Sequence, residues 1–364
     1  MMEQDKITVR QMMCTAFVLL CSPIIRLLPT GTSELAGRGA WVSVLVGGVL
    51  CALYVWLLSS FLSAREDGEG AAELIIKCIG RPLGLSLCAA VLLWLLIYSG
   101  FVLRISSERM LSTVFDNGSL LVLSIITASA ALTASLGKVK SIVRTAEVML
   151  LVITAVLWVT LFFSLENLEV GFILPVRFTG EDGINILKGA LVPLNVMAVA
   201  FYGGFLYGDV KKQPEERKIS LRWCGYTVLS MFCITFCTLG TISAPLIEKM
   251  QNPFFIMIRN IYAFGVLERI ESVVIAIWVF ADFIMLSVLM KACAAIYRAV
   301  FKKTEGKAFY YICIAAVIIF SFVISPTAFA LDTLSKRLVP FVNVAVTVGV
   351  FPIVYLTGKI RKRI

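Results

Sequence analysis

The sequence predicts an all-α polytopic membrane protein of about ten transmembrane helices, and three observations support this prediction. Of its 364 residues, 59% are hydrophobic and only 15% are charged. The mean hydropathy is +0.93, whereas soluble domains carry about 25% charged and about 45–50% apolar residues. The apolar residues also recur in runs of about 20, the length that crosses the hydrocarbon core of a bilayer as a helix.

Ten such runs define the predicted spans. The connections between them are short, so we expect residues 1–364 to form a single integral membrane domain. The spans cover residues 8–28, 39–62, 82–103, 118–136, 142–165, 184–207, 219–244, 270–297, 309–324 and 338–356.

The distribution of Lys and Arg predicts the orientation. The two ends and the connections around 63–81, 137–144, 208–222 and 298–307 carry 21 of the 33 Lys and Arg residues. Short loops rich in Lys and Arg stay in the cytoplasm, so both termini are expected to be cytoplasmic. The formal net charge of +10 is therefore a topology signal, and no nucleic-acid partner is expected.

The composition also excludes whole classes of catalytic site. Because the chain has no histidine, it cannot form a Ser-His-Asp or Cys-His centre, bind haem through histidine, or build a histidine-containing zinc site. The ten cysteines include no CxxC pair and are interpreted as packing residues. No metal, no cofactor and no enzymatic activity are expected.

Two spans contain helix-breaking residues at membrane depth. The first has Cys21-Ser22-Pro23, and the sixth has Pro193 followed by Gly203-Gly204. Freed backbone groups cannot find water in lipid, so they must line a cavity or bond to protein. The two spans also enter from opposite sides, which predicts a five-plus-five inverted repeat, about 8–165 and 184–357, with broken helices 1 and 6. Ordinary proline kinks are the alternative.

A small-molecule pocket is predicted between these two helices, near the bilayer midplane. The ends of broken helices offer N–H groups to a carboxylate and carbonyl groups to a cation, which suits a zwitterionic amino acid. Asp282 lies near the middle of the eighth span, where a carboxylate is costly unless it is paired or hydrated. The predicted ligand-binding residues are Cys21, Ser22, Tyr98, Phe201, Gly203, Gly204 and Asp282.

Other charged and amphipathic features flank the spans. Arg26 is positioned to meet either an acidic group at the outer mouth or a lipid headgroup. Arg104 and Glu108, four residues apart at the end of the third span, predict a surface ion pair. Residues 254–267 predict an amphipathic helix lying on the outer face.

Several short motifs give the chain a family resemblance. They are Ala40-Trp41-Val42-Ser43, Arg144-x-x-Glu147, and the block Pro253-Phe254…Arg259…Glu268-Arg269-x-Glu271…Trp278. Over nearly its whole length the chain resembles the spore germination permeases, the B subunits of nutrient germinant receptors, which belong to the amino acid–polyamine–organocation transporter superfamily. It departs from that family in two places: Cys21-Ser22-Pro23 replaces a glycine-rich break, and Phe205-Leu206-Tyr207 lacks the acidic residue often found there.

The resemblance implies a germinant-sensing subunit in the spore inner membrane. Its ligand would be a small germinant resembling an amino acid, and its partners would be a membrane-embedded A subunit and a lipoprotein C subunit. An ion-coupled amino acid or polyamine permease is the alternative function.

Overall fold

The computed structural model describes residues 6–115, 118–176, 178, 180–260 and 270–363. Within them, seven helical stretches are long and apolar enough to cross a membrane. Two shorter apolar helices, Leu120–Leu136 and Lys307–Val323, are counted as further crossings. One of the seven, Val9–Ser63, holds two crossings divided by a turn at Gly37–Gly39. The described residues therefore form ten crossings, which confirms the prediction.

The first half of the chain contains five crossings and one additional helix. The additional helix, α3, has apolar residues on one face and lies within the connection that the sequence predicted between the second and third spans. The elements are α1 (Val9–Ala36), α2 (Ala40–Ser63), α3 (Ala71–Ile79), α4 (Arg81–Thr113), α5 (Leu120–Leu136) and α6 (Val139–Ser164).

The second half has less regular crossings. Its tenth crossing, Ala328–Ile360, is interrupted by π-helical segments at Leu334–Leu338 and Ala345–Val350. The elements are α7 (Val170–Ile173), α8 (Glu181–Gly189), α9 (Leu191–Ala198), a 3-10 helix (Val199–Asp209), α10 (Glu216–Thr241), α11 (Ala244–Ile247), α12 (Pro253–Arg259), α13 (Ile270–Phe301), α14 (Lys307–Val323), α15 (Ala328–Thr333), α16 (Val339–Val344) and α17 (Phe351–Ile360).

The first crossing is continuous, so the predicted break at Cys21-Ser22-Pro23 is wrong. A capping box begins α1, in which Thr8 and Gln11 each accept a hydrogen bond from the other's backbone N–H. The helix then runs for 28 residues through Pro23 and Pro29. Each proline removes only one backbone hydrogen bond, and α6, α8, α9, α10 and α13 pack around the helix and support it.

The sixth crossing is broken, as predicted. The α-helical part ends at Ala198, and Val199–Asp209 continues as an 11-residue 3-10 helix that contains Gly203-Gly204. Runs of 3-10 helix longer than three or four residues are uncommon because their hydrogen bonds are poorly aligned. This crossing is therefore an irregular element held in place by its neighbours.

Equivalent crossings of the two halves pack against each other. The first contacts the sixth through α1, α9 and the 3-10 helix, the second contacts the seventh through α2 and α10, and the third contacts the eighth through α4 and α13. This pairing gives the five-plus-five inverted-repeat fold and brings both irregular and regular crossings to the centre of the bundle.

Both described ends of the chain lie on one side of the bundle, here called the N-terminal side. The Ile7 N–H donates to the Asp209 carbonyl at 3.0 Å, and the Lys211 N–H donates to the Ile7 carbonyl at 2.8 Å. Near the other end, Arg363 donates to the Lys77 carbonyl at 3.0 Å. The opposite side, called the far side, contains the connections around residues 37–39, 165–176 and 242–259.

The predicted amphipathic helix at 254–267 is described only in part. Helix α12 ends at Arg259, and residues 261–269, including Glu268 and Arg269, lie outside the described residues. In the described part, Phe254 and Met257 are buried in the core, and the helix contacts α1 and α10. This part therefore packs into the bundle instead of lying on its outer face.

A buried ion pair closes the bundle on the N-terminal side. The guanidinium of Arg65, just after α2, forms two hydrogen bonds of 2.7 Å with the carboxylate of Glu216, at the start of α10. Arg65 also donates to the Leu62 carbonyl at 2.8 Å and lies 5.0 Å from the ring centroid of Tyr207. Bidentate, desolvated pairs of this kind are geometrically specific, so the pair fixes the second crossing against the sixth and seventh.

Breaking this pair from one side should destabilise the protein. We expect Arg65→Met to lower the free energy of unfolding by about 3–5 kcal/mol, because Glu216 would remain buried without a counter-charge. The double variant Arg65→Met, Glu216→Met removes both charges and should be closer to wild type. Thermal unfolding of the purified protein in detergent measures both losses. Equal losses in the two variants would contradict this prediction.

The orientation is testable at one exposed residue on each side. Gln251 is exposed on the far side and Lys303 is exposed on the N-terminal side. In a background without native cysteines, we expect a membrane-impermeant maleimide to label Gln251→Cys in intact cells and Lys303→Cys only after permeabilisation. The excess of Lys and Arg on the N-terminal side is the reason. The reverse labelling pattern would invert the topology.

Candidate functional site

A wide vestibule opens on the far side of the bundle. Its volume is about 1110 Å³, and its walls come from α1, α8, α9, the segment 248–251 and the tenth crossing. The Lys336 ammonium lies 3.9 Å from a carboxylate oxygen of Glu34, and this weak ion pair connects the first and tenth crossings at the rim. It also lies 3.5 Å from a carboxylate oxygen of Asp332, within the tenth crossing. The charged residues of its wall are Arg26, Glu34, Lys188, Glu248, Lys249, Asp332, Lys336 and Arg337.

An inner cavity lies at the base of this vestibule. It has a volume of about 40 Å³, and Arg26, Leu27 and Asn195 line both spaces. The first, third and eighth crossings contribute Ser22, Tyr98 and Asp282, and the sixth and tenth contribute Val199 and Asn343, among others. In this conformation the inner cavity has room for a few water molecules. A larger solute would therefore sit at the junction with the vestibule or separate the walls.

Arg109 is the electrostatic centre of the site. Its guanidinium donates to Asp282 Oδ2 at 3.0 Å and to Ser22 Oγ at 3.1 Å. The same group lies 3.9 Å from the ring centroid of Trp278. The side chains of Arg109 and Asp282 are 3% and 1% exposed. One buried cation therefore joins α1, α4 and α13.

The sequence interpretation missed Arg109, although it singled out its partner. The third span was predicted to end at residue 103, but α4 continues to Thr113 over 33 residues. Arg109 follows Tyr98 by eleven residues, which is about three helical turns and therefore the same helix face. A charged residue on the pocket-facing side of an extended apolar helix is the signal that would have found it.

A hydrogen-bonded aromatic group supports the inner cavity. The indole N–H of Trp94 donates to Tyr202 Oη at 2.9 Å and to Asn343 Oδ1 at 3.1 Å, and the Tyr202 hydroxyl donates to the same Asn343 oxygen at 2.6 Å. Tyr98 stacks on Trp94 with ring centroids 6.1 Å apart. These contacts connect α4, the 3-10 helix and α16, so the broken sixth crossing is tied directly to the cavity wall.

The other predicted ligand residues do not line this cavity. Cys21 lines a separate apolar cavity of about 30 Å³, and Gly203 and Gly204 line a third of about 20 Å³ on the N-terminal side. Phe201 packs between Phe205 and Phe351, at centroid distances of 5.4 and 5.3 Å. The structure thus brings together only Ser22, Tyr98 and Asp282 of the predicted set. A ligand role for the remaining four stays a prediction.

Helix packing accounts for this separation. Because α1 is unbroken, Cys21 and Ser22 point in different directions from the helix. A Cβ atom added to Gly203 would lie 2.9 Å from Met12 Cε, so this glycine allows the 3-10 helix to approach α1 closely. Such close backbone approach is a common use of glycine, and here it serves packing within the bundle.

The predicted surface ion pair of Arg104 and Glu108 is present but is not on the surface. The closest nitrogen–oxygen distance is 3.5 Å, and the Arg104 side chain is only 5% exposed. Its guanidinium lies 5.5 Å from the ring centroid of Phe322 on α14. The continuation of α4 beyond residue 103 is the reason, since it carries Arg104 into a helix–helix contact.

Comparison with known proteins identifies the family. Residues 6–329 match the family model of the spore permeases, described as spore germination protein. The chain belongs to this spore germination permease family. No curated protein is significantly similar to it in sequence.

The fold of this spore germination permease is similar to that of a solved transporter. The transporter is MHP1, of the nucleobase-cation-symport-1 family, in a closed conformation with bromovinylhydantoin bound. The two structures align with a TM-score of 0.61 at 11% identity, over 91% of this chain and 75% of that chain. At this identity the likeness concerns the fold, which is the inverted-repeat transporter architecture.

The motifs that carry the family resemblance have structural roles in this permease. Trp41 makes edge contacts with Phe232 at a centroid distance of 6.3 Å. Glu147 accepts hydrogen bonds from Arg10 at 2.8 Å and from Gln11 at 2.9 Å, which fixes α6 to the start of α1. Trp278 supplies the ring under Arg109. One family motif thus reaches the centre of the site.

The Arg109–Asp282 pair gives the strongest prediction for the site. We expect Asp282→Asn to lower the free energy of unfolding by about 3–5 kcal/mol, because Arg109 would remain buried without its counter-charge. Asp332→Asn is the matched control, since Asp332 is half exposed and its ion pair is worth about 0–1 kcal/mol. Thermal unfolding of both variants measures the difference. Equal stability of the two variants would show that the buried charge of Asp282 is not required.

Proposed function

We propose that this protein is the germinant-sensing membrane subunit of a spore nutrient receptor. In this proposal a small amino-acid-like solute enters the vestibule from the far side and binds at its base, between the first, third, sixth, eighth and tenth crossings. Family membership supports the role in germination. The position of the inner cavity supports binding of a small solute.

The observation that carries the proposal is that both repeats contribute walls to one cavity. Ser22 and Tyr98 come from the first repeat, and Val199, Asp282 and Asn343 come from the second. A solute that binds there contacts both repeats, so its binding energy can favour one relative position of the repeats over another. That differential affinity is the physical requirement for a sensor.

The ion pair favours a sensor over an ion-coupled permease. Among the described residues that line the inner cavity, Asp282 is the only carboxylate, and Arg109 already neutralises it. The guanidinium connects Ser22 on α1 with Asp282 on α13. It thereby supplies, as part of the chain, the positive charge that a coupling Na⁺ or H⁺ would otherwise bring to this carboxylate.

The cellular setting of the proposal follows from the family. We propose that the protein lies in the spore inner membrane with both termini in the cytoplasm. We further propose that it signals through a membrane-embedded A subunit and a lipoprotein C subunit.

Filling the cavity should impair the response to germinant. Val199 is buried and lines the inner cavity, whereas Val148, on α6, is 58% exposed on the membrane-facing surface. We expect Val199→Phe to shift the germinant dose-response of spores at least tenfold or abolish it, because the larger ring occupies the cavity. Val148→Phe, the matched control, should respond as wild type.

Protein level in the spore membrane is measured in parallel by immunoblotting. A wild-type dose-response from Val199→Phe at wild-type protein level would contradict the proposed site.

The permease alternative is supported by the fold likeness to a symporter. Uptake of radiolabelled amino acids into proteoliposomes, with and without a Na⁺ or pH gradient, separates the two functions. Gradient-driven accumulation would establish the permease and overturn the sensor. Binding without accumulation supports the sensor.

A further inference from the structure

Among the described residues, Arg26 is a cation without a direct ion-pair partner at the base of the vestibule. It lines both the vestibule and the inner cavity and is half buried. Its guanidinium has no hydrogen bond and no ion pair within the part of the chain that the structure describes, although its backbone carbonyl accepts a bond from Thr30. An arginine in this position presents its donors to whatever occupies the junction.

Asn195 is the second group at this junction with an unused hydrogen-bonding atom. It lines the same two spaces from α9. Its Oδ1 atom is buried and has no hydrogen-bond partner among the described residues. A buried acceptor without a hydrogen bond is energetically unfavourable. The terminal torsion of an asparagine rotates readily, so the amide can present this oxygen to a donor at the junction.

The local charge balance is positive. Asp282 and Arg109 compensate each other at 3.0 Å, and Asp332 and Glu34 on the vestibule wall lie near Lys336. Asp332 and Asp282 act on Arg26 only through longer-range attraction, so among the described residues Arg26 is the cation between the two spaces without a direct carboxylate partner. An anionic group is the chemistry that satisfies it, and a hydrogen-bond donor is the chemistry that satisfies Asn195.

We propose that Arg26 binds the carboxylate of the ligand and that Asn195 accepts a hydrogen bond from its ammonium group. This inference rests on the proposed function and specifies its ligand as a free α-amino acid with both charged groups unmodified. Pro29 leaves the Ile25 carbonyl without its helical donor, but α1 is a continuous helix through Pro23, so its backbone N–H groups in this region bond within the helix. Side chains from the first and sixth crossings therefore take over the recognition of the charged groups.

Matched ligands test this assignment on the wild-type protein. The probes are the twenty proteinogenic L-amino acids and, for each that binds, its carboxamide and its des-amino acid, for example L-alanine, L-alaninamide and propionate. Isothermal titration calorimetry with protein in lipid nanodiscs gives the affinities. We expect the carboxamide to bind about 30-fold or more weakly than the amino acid, because it leaves Arg26 unpaired. Equal affinity of acid and amide would overturn the assignment even without a variant.

Variants then locate the effect. Arg26→Gln should weaken amino acid binding about 30-fold or more and remove the discrimination between acid and amide. Arg26→Lys keeps the charge but not the planar fork, so it should retain part of the discrimination. Asn195→Leu should remove the discrimination against the des-amino acid. Arg38→Gln, on the far side but outside both cavities, is the matched control and should bind as wild type; Arg38 instead donates to the Leu174 carbonyl at 3.0 Å.

Further outcomes would overturn the inference. Unchanged acid-to-amide discrimination in Arg26→Gln excludes Arg26 as the carboxylate partner. Loss of that discrimination in Asp332→Asn would mean that Arg26 acts through Asp332 instead of the ligand. A second panel of ligands, made up of uncharged sugars and nucleobases, distinguishes a failure of the Arg26 assignment from a failure of the proposed function. If only the sugars or nucleobases bind, and Val199→Phe abolishes their binding, the proposed sensor function is supported and the recognition of a charged ligand by Arg26 is contradicted. If neither panel binds, the sensor function and the charge recognition are both contradicted.

Discussion

The buried Arg109 guanidinium is the constraint on which the centre of the bundle depends. A charge at membrane depth is stable only when protein replaces its hydration. Asp282, Ser22 and Trp278 supply a counter-charge, an acceptor and an aromatic face. These partners lie on the first and eighth crossings, so the third crossing must meet both at this depth. The inner cavity lies beside this contact of three helices, because Ser22 and Asp282 also form part of the cavity wall.

The two sides of the bundle are held together by interactions of different strength. On the N-terminal side, Arg65 and Glu216 form a bidentate pair shielded from water. At the vestibule rim, Lys336 approaches Glu34 and Asp332 at 3.9 and 3.5 Å, and all three side chains are about half exposed. Exposed pairs are screened by solvent and contribute little. The far side is therefore open and weakly held, which agrees with a solute arriving from that side.

The irregular crossings lie where the two repeats meet. The 3-10 helix of the sixth crossing contributes Val199 to the cavity, and Tyr202 in the same segment bonds to Asn343 on the tenth. The tenth crossing itself contains two π-helical segments, which often occur at functional sites. The first crossing, in contrast, is a continuous helix. In the proposed function, recognition of a solute would therefore depend on side chains from α1 together with the irregular backbone opposite it.

The sequence by itself determined the ten crossings, the excess of Lys and Arg on one side, the break in the sixth crossing and the presence of a carboxylate, Asp282, at membrane depth. These features follow from local hydropathy and from charged or helix-breaking residues, which are unfavourable in contact with lipid. Only the tertiary structure decided that α1 continues through Pro23, that Arg109 pairs with Asp282, and that Gly203 packs against α1 away from the cavity. These features depend on which helices pack against each other and on neighbouring helices that support a helix where a proline removes a hydrogen bond. The sequence of a single span contains neither kind of information.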